Sequence, residues 1–249
     1  MANRAVLVTG ASRTAGLGFG IAKRLAADGW DIALTYWRPY DSRMPWGVQQ
    51  EDTGRIHDEL AAKGSRVVSI EADLQKPEAA AEIFERARCE FGIVSALVLS
   101  HCESVDSGIL DTTVESFDRH FAVNARGSWQ LIREFAMQVP DSGGHVIALT
   151  SDSTVDNLPY GASKGALDRI VIAAARELAH LRIVANVINP GPIDTGWMDE
   201  NARHEVLRRQ PTGRLGTPED TANLVAFLLS PEGSWINGQI LQSDGGLGA

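Results

Sequence analysis

Tyr160-Gly161-Ala162-Ser163-Lys164 sets a phenol and an ammonium four positions apart. On a helix, that spacing puts both on one face. An ammonium near a phenol favours phenolate and lowers the tyrosine pKa from its ordinary ~10. Such a phenol can protonate a carbonyl oxygen that receives hydride, and can take the proton back in reverse. Ser151, in Leu149-Thr150-Ser151-Asp152-Ser153, precedes the tyrosine where its hydroxyl can reach the same oxygen, with Ser153 as the substitute. A Y-x-x-x-K pair alone arises by chance in many helices, so its weight depends on the rest of the chain.

The second constellation is Thr9-Gly10-Ala11-Ser12-Arg13-Thr14-Ala15-Gly16-Leu17-Gly18. Gly10 can make a tight turn off a strand, while Gly16 and Gly18 let backbone approach a pyrophosphate at a helix amino end. The spacing is not G-x-G-x-x-G, so the regular dinucleotide fingerprint is not met. An NAD site usually carries an acid after the second strand. Here that strand ends Thr35-Tyr36-Trp37-Arg38, with no carboxylate before Asp41. Arg13 and Arg38 can instead pair with a 2′-phosphate, which predicts NADP(H) as cofactor; the bland alternative is two solvated surface arginines.

Short apolar runs must position these groups. Strands are expected at Ala5–Thr9, Asp31–Tyr36, Arg66–Ile70, Ala96–Leu99, His145–Thr150, Ile183–Ile188 and Gln239–Gln242. Helices are expected at Phe19–Asp28, Glu51–Lys63, Pro77–Phe91, Val114–Val139, Pro159–His180 and Pro218–Leu229, with Pro77 and Pro218 in first turns. Near-continuous apolar strands alternating with helices predict an α/β fold. It is a single Rossmann-type domain over residues 1–249, a doubly wound parallel sheet of about seven strands with helices on both faces. Two segments break the rhythm at strand carboxyl ends, where such sheets bind ligands: an extended insertion at 37–53 and a substrate lid at 192–215. Within the lid, Arg203–Arg209 reads as a solvated helix face. Trp46, Trp197 and Met198 either cap a substrate pocket or pack down.

Composition narrows the class. The 249 residues carry 32 acids against 23 Lys and Arg, for a net charge of −9, which argues against nucleic-acid or anionic-membrane partners. Two cysteines, Cys89 and Cys102, build no disulfide framework, and the six histidines are not at metal-ligand spacing, so no metal is expected. Met1-Ala2-Asn3-Arg4 leads into an apolar run too short for a signal peptide, and no stretch is long enough to span a membrane. A cytoplasmic protein is expected.

Together these motifs resemble a short-chain dehydrogenase/reductase of the classical type over nearly the whole chain. The likeness rests on Thr9-Gly10 with Gly16-Leu17-Gly18, Asp73-Leu74, Asn124, Ser151, Tyr160 and Lys164. It continues in Asn189-Pro190-Gly191-Pro192-Ile193-Asp194-Thr195 and Ser243-Asp244-Gly245-Gly246. The resemblance implies that Tyr160 is the general acid/base, Lys164 binds the nicotinamide ribose and tunes Tyr160, Ser151 orients the carbonyl, and Asn124 anchors a relay water. It further implies that Asp73 and Leu74 touch the adenine, and that Ile193 and Thr195 meet the carboxamide. Gly10, Ser12, Arg13, Gly16, Leu17, Gly18, Arg38, Ser100, Pro190 and Gly191 complete the expected cofactor site. Within the family the chain is most similar to 3-oxoacyl-carrier-protein reductases, including Gly213-Arg214-Leu215-Gly216-Thr217-Pro218-Glu219-Asp220.

Three departures stand out. Five residues separate Gly10 from Gly16, a spacing more like enoyl reductases, although the Tyr160–Lys164 gap is that of carbonyl reductases. Leu99-Ser100-His101-Cys102 replaces the usual Asn-Asn-Ala-Gly, which leaves a stabilising network lost or rebuilt, with His101 as a pocket-lining or hydrogen-bonded residue. The serine-to-tyrosine stretch is short. The reading is therefore NADPH-dependent reduction of a ketone, either a 3-oxoacyl thioester or a small or secondary-metabolite carbonyl. The alternatives are a catalytically weak NADP(H)-binding sensor or scaffold and, third, an enoyl reductase. Resemblance also implies a homo-oligomer, dimer or tetramer, with Ile170, Val171 and Ala174 available for a partner or for the sheet.

Overall fold

The computed structural model describes residues 4–248. The expected leaderless start at Met1–Asn3 and the last residue of the expected domain lie outside the described residues. Among the described residues, seven parallel strands form one sheet in the order β3-β2-β1-β4-β5-β6-β7. The strands are β1 Ala5–Val8, β2 Asp31–Tyr36, β3 Val67–Glu71, β4 Ala96–Leu99, β5 Gly144–Leu149, β6 Ile183–Asn189 and β7 Ile240–Gln242. All residues of β1 and β4 are buried, because helices cover both faces.

The helices are α1 Leu17–Ala27, α2 Arg38–Asp41, α3 Asp52–Ala61, α4 Ala79–Phe91, α5 Val114–His120, α6 Ser128–Gln138, α7 Leu158–Glu177, α8 Glu200–Arg209 and α9 Pro218–Leu228. One core packs Ile83 and Phe84 of α4, Leu131 and Phe135 of α6 and Leu167 and Val171 of α7 against one sheet face. The other packs Ile21 and Leu25 of α1, Ile56 and Leu60 of α3 and Val225 of α9 against the opposite face. Val171 and Ala174 belong to the first core and the partly buried Ile170 packs against it, so these α7 positions serve the sheet.

Several expectations need correction. Val114–Val139 is not one regular helix: Phe121–Gly127 is π-helical and joins α5 to α6. A widened turn rotates the following side chains, and such segments often sit at functional sites. Residues 37–53 are not wholly extended, since they hold α2 and the start of α3. Pro77 stands two residues before α4, just ahead of its N-cap Glu78, instead of opening it. Pro218 does open α9, behind a reciprocal cap in which Thr217 and Asp220 satisfy each other's backbone N–H.

The first crossover needs a glycine at position 10. Its φ is +73°, and a Cβ there would lie 2.6 Å from the His101 Cα and 2.9 Å from the Ser100 carbonyl oxygen. The turns after β1 and β4 thus touch backbone to backbone. Gly10→Ala should destabilise the protein by roughly 1–3 kcal/mol through overpacking and positive φ, measured as a lower chemical-denaturation midpoint with an unchanged slope.

Candidate active site

A cavity of about 950 Å³ opens along the carboxyl ends of the strands. Of the expected cofactor residues, Gly10, Ser12, Arg13, Gly16, Leu17, Asp73, Leu74, Ser100, Pro190, Gly191, Ile193 and Thr195 line it, as do Ser151, Tyr160 and Lys164. Gly18, Arg38 and Asn124 do not line it. Gly18 serves packing: a Cβ there would stand 2.6 Å from the Gly10 carbonyl oxygen. Arg38 lies 3.8 Å from the Glu71 carboxylate and donates to Thr53 Oγ1 at 3.2 Å. Arg13 is not grouped with it. Its guanidinium lies 4.1 Å from the Trp46 ring centre and donates to the Thr195 carbonyl at 3.1 Å.

The reactive groups follow from β5 and α7. Lys164 is 3% exposed, and its Nζ donates to the carbonyl of Leu149, the last residue of β5, at 2.8 Å. Nζ stands 5.6 Å from the centre of the Tyr160 ring. The Ser151 hydroxyl lies close enough to the phenol to favour its charged form. Despite the short connection, then, the serine just past β5 faces the same cavity as the tyrosine on α7. Ser153 also lines the cavity, and its N–H donates to Ser151 Oγ at 3.1 Å.

The expected lowering of the tyrosine pKa is reversed. Burial pushes the Tyr160 phenol well above its ordinary range and the neighbouring Cys102 thiol adds to this, against the opposing pull of Ser151. Desolvation disfavours a charged group wherever no partner replaces the lost water, and Lys164 points its charge at Leu149. The same burial holds Lys164 below its ordinary range. Tyr160 is therefore a neutral phenol, fit to give a proton.

Asn124 sits in the π-helical turn and is fully buried. Its Nδ2 donates to the Glu103 carbonyl at 2.9 Å and to Ser163 Oγ at 2.8 Å, and its Oδ1 accepts from the Glu103 N–H at 2.7 Å. Its own carbonyl accepts from Ser128 Oγ at 2.7 Å. Its side chain is a clamp between the segment after β4 and α7.

The altered motif after β4 has a rebuilt network. Leu99 is still inside the strand, so the departing segment is Ser100 onward. His101 Nδ1 lies 2.7 Å from Thr9 Oγ1, and Nε2 lies 3.2 Å from both the Val123 carbonyl and Ser128 Oγ. A carbonyl only accepts, so Nε2 carries the proton and Thr9 donates to Nδ1. Thr9 Oγ1 also accepts the N–H groups of Ser100 and His101 at 3.1 and 3.3 Å.

Sequence reasoning missed Tyr40, Arg43, Met44, Cys102, Glu103 and Arg209, which also line the cavity. The only local signal was their place after β2, after β4 or in the 192–215 segment. Trp46 and Trp197 face each other at 5.2 Å, stacked, so the 37–53 segment meets the 192–215 segment at the cavity. Arg203 and Arg209 are not simply solvated: Arg203 pairs with Asp194, and Arg209 reaches the cavity.

The residues present fit a phosphorylated dinucleotide. Gly16 ends the turn just before α1, whose first turn carries no acid to repel a phosphate. The first carboxylate after β2, Asp41, is buried and accepts from Trp46 Nε1 at 3.0 Å, so it is already engaged where an NAD site would offer an acid to the ribose.

Burial pushes the His101 imidazole down to about 3. The unfolded chain takes up this proton below ~6.5 whereas the native protein does not, so native stability is complete above that pH and declines as pH falls toward 3. The slope from this group reaches ~1.4 kcal/mol per pH unit. His120 and His145 are lowered by burial too, so the His101 share needs its own variant. His101→Gln should flatten the acid limb of a stability-versus-pH curve by about one proton.

The sequence model of the family described as "Enoyl-(Acyl carrier protein) reductase" matches residues 10–248. An uncharacterized oxidoreductase of Bacillus subtilis, YjdA, is 35% identical, covering 96% of this chain and 95% of its own. An Arabidopsis thaliana chloroplastic protein named NADPH-dependent aldehyde reductase-like is 32% identical over 99% of this chain and 94% of its own. The crystal structure of a short-chain dehydrogenase from Burkholderia cenocepacia in complex with NADP superposes with a TM-score of 0.88 at 32% identity, covering 100% of this chain and 99% of that one. With its parallel sheet, glycine turn and Ser151–Tyr160–Lys164 grouping, the chain belongs to the short-chain dehydrogenase/reductase family.

Proposed function

We propose that the chain is an NADPH-dependent carbonyl reductase that converts a ketone or aldehyde to an alcohol. One observation carries this: the partly buried, neutral Tyr160 phenol faces the same cavity as the Ser151 hydroxyl, with the glycine turn at the other end. A phenol that is neutral at about pH 7 keeps its proton until an alkoxide develops beside it, and can then give it up. Ser151 orients the substrate oxygen and donates a hydrogen bond to it as charge grows. Lys164, anchored on Leu149, holds the nicotinamide ribose, while Gly10, Ser12, Gly16 and Leu17 cradle the pyrophosphate. Asp73 and Leu74 take the adenine, and Pro190, Gly191, Ile193 and Thr195 the carboxamide end. When bound, NADPH supplies the hydride. The missing acid after β2, the Arabidopsis relative's printed name and the Burkholderia complex with NADP support this cofactor.

The 37–53 segment and the 192–215 lid wall the substrate side with Tyr40, Trp46, Trp197 and Met198. Aromatic walls suit a compact carbonyl more than a carrier-bound 3-oxoacyl chain. Enoyl reduction is the second reading, favoured by the family's description and by the five residues between Gly10 and Gly16. Purified protein should consume NADPH with aldehydes and compact ketones, and not with enoyl thioesters, followed by NADPH absorbance. Tyr160→Phe should lower kcat/KM for the carbonyl at least ~100-fold while NADPH still binds. Full activity in that variant, or turnover of the enoyl thioester alone, contradicts the assignment.

No helix among the described residues is long and apolar enough to cross a membrane. We further propose a homo-oligomer built partly on the exposed Trp235, Phe227 and Ile240 beside β7, the terminal strand of the sheet, where Trp235 is 96% exposed. Sedimentation should give a dimer or tetramer that Trp235→Glu shifts toward smaller species.

A further inference from the structure

The segment between β2 and α3 walls the cavity without a core of its own. Its only fully buried residues from 37 to 53 are Asp41 and Asp52. Apart from the stacking of Trp46 on Trp197, then, apolar burial holds it weakly, and polar ties supply the rest. Asp52 ties the far end, accepting the Thr14 N–H at 3.1 Å. The tie on the catalytic side is Arg43, whose Nη1 and Nη2 donate to the two carboxylate oxygens of Glu103 at 2.9 and 2.8 Å.

Glu103 itself has little freedom. Its side chain is 3% exposed, and Arg119 of α5 stands 3.8 Å from the same carboxylate. Its backbone is gripped on both sides by Asn124, which also reaches Ser163, the residue before Lys164. A rigid connection thus runs from the catalytic helix through Asn124 and Glu103 to Arg43. Beyond Arg43, Tyr40 lies 5.5 Å from the guanidinium and donates to the Ser104 carbonyl at 3.4 Å. Trp46 follows, with its ring centre 6.3 Å from that of Tyr40, and stacks on Trp197 of the lid.

We propose that Glu103 and Arg43 are positioning residues. Their two-pronged ion pair fixes the 37–53 segment to the catalytic helix, so that Tyr40 and Trp46 stand as the substrate-side wall. A surface ion pair of marginal effect is the competing view. The burial of Glu103 and the two-pronged geometry decide against it, since removing the guanidinium leaves a desolvated carboxylate short of its main partner. A lysine cannot reproduce the fork.

The proposal rests on the reading of the cavity as a carbonyl reductase site, so one readout needs no turnover. In Arg43→Ala, acrylamide quenching of tryptophan fluorescence should rise, and the rise should disappear in a Trp46→Phe background. With a carbonyl that the wild type reduces, KM should increase about tenfold or more while kcat falls less than about threefold and the NADPH Kd shifts less than about twofold. Glu103→Gln, which keeps the side-chain shape, should shift KM in the same direction, and Arg43→Lys should recover only part of the loss. If the wild type reduces no carbonyl, the functional reading fails and the quenching comparison still decides the tether. Unchanged quenching, a rise that persists without Trp46, or an NADPH Kd that moves as far as KM overturns the proposal.

Discussion

A buried ammonium needs a partner, and Lys164 has one in the carbonyl that ends β5. That single bond governs the site. Desolvating a cation is costly unless a fixed acceptor replaces water, so α7 must lie with this turn against the end of the strand. Tyr160, one turn earlier on the same helix face, is carried to Ser151, two residues beyond Leu149. The helix cannot shift along the strand without stranding the charge. The proposed catalytic geometry and the packing thus share one restraint.

The remaining support comes from backbone groups brought unusually close. Gly10 lets the turn after β1 touch the turn after β4, and Thr9 reaches across to gather two N–H groups and the His101 ring. An imidazole kept neutral by burial serves as a two-ended spacer, accepting from Thr9 and donating toward Val123 and Ser128. Asn124 does comparable work one layer over, joining the Glu103 backbone to α7. The sheet's carboxyl edge is therefore held by paired polar groups, while the apolar residues of both cores hold its faces.

Much of this was legible in the chain. Runs such as Ala5–Val8 and Ala96–Leu99 are apolar throughout because both faces are covered, which is why strand positions and the parallel sheet could be read within a residue or so. Tyr160, Lys164 and the glycine turn were legible because their spacing is local. The π-helical turn was not, since one widened turn inside Val114–Val139 leaves no mark in composition. The diversion of Arg13 to Trp46 and Thr195, and the stacking of Trp46 on Trp197, join segments remote in sequence through loops without periodicity. The sign of the Tyr160 shift was misread for a different reason. Spacing shows that an ammonium is near, but not that it faces a carbonyl or that burial outweighs it.

The neutrality of the Tyr160 phenol is the most exposed part of this account. It is tested by titrating the unliganded protein and comparing tyrosinate ultraviolet absorbance between the wild type and Tyr160→Phe. The account predicts coincident curves up to pH ~10, the ordinary tyrosine range, with any difference appearing only above it. A tyrosinate signal that rises well below pH ~10 in the wild type and is missing from Tyr160→Phe would show that the ammonium prevails over burial. The proton-donor assignment made here would then be wrong.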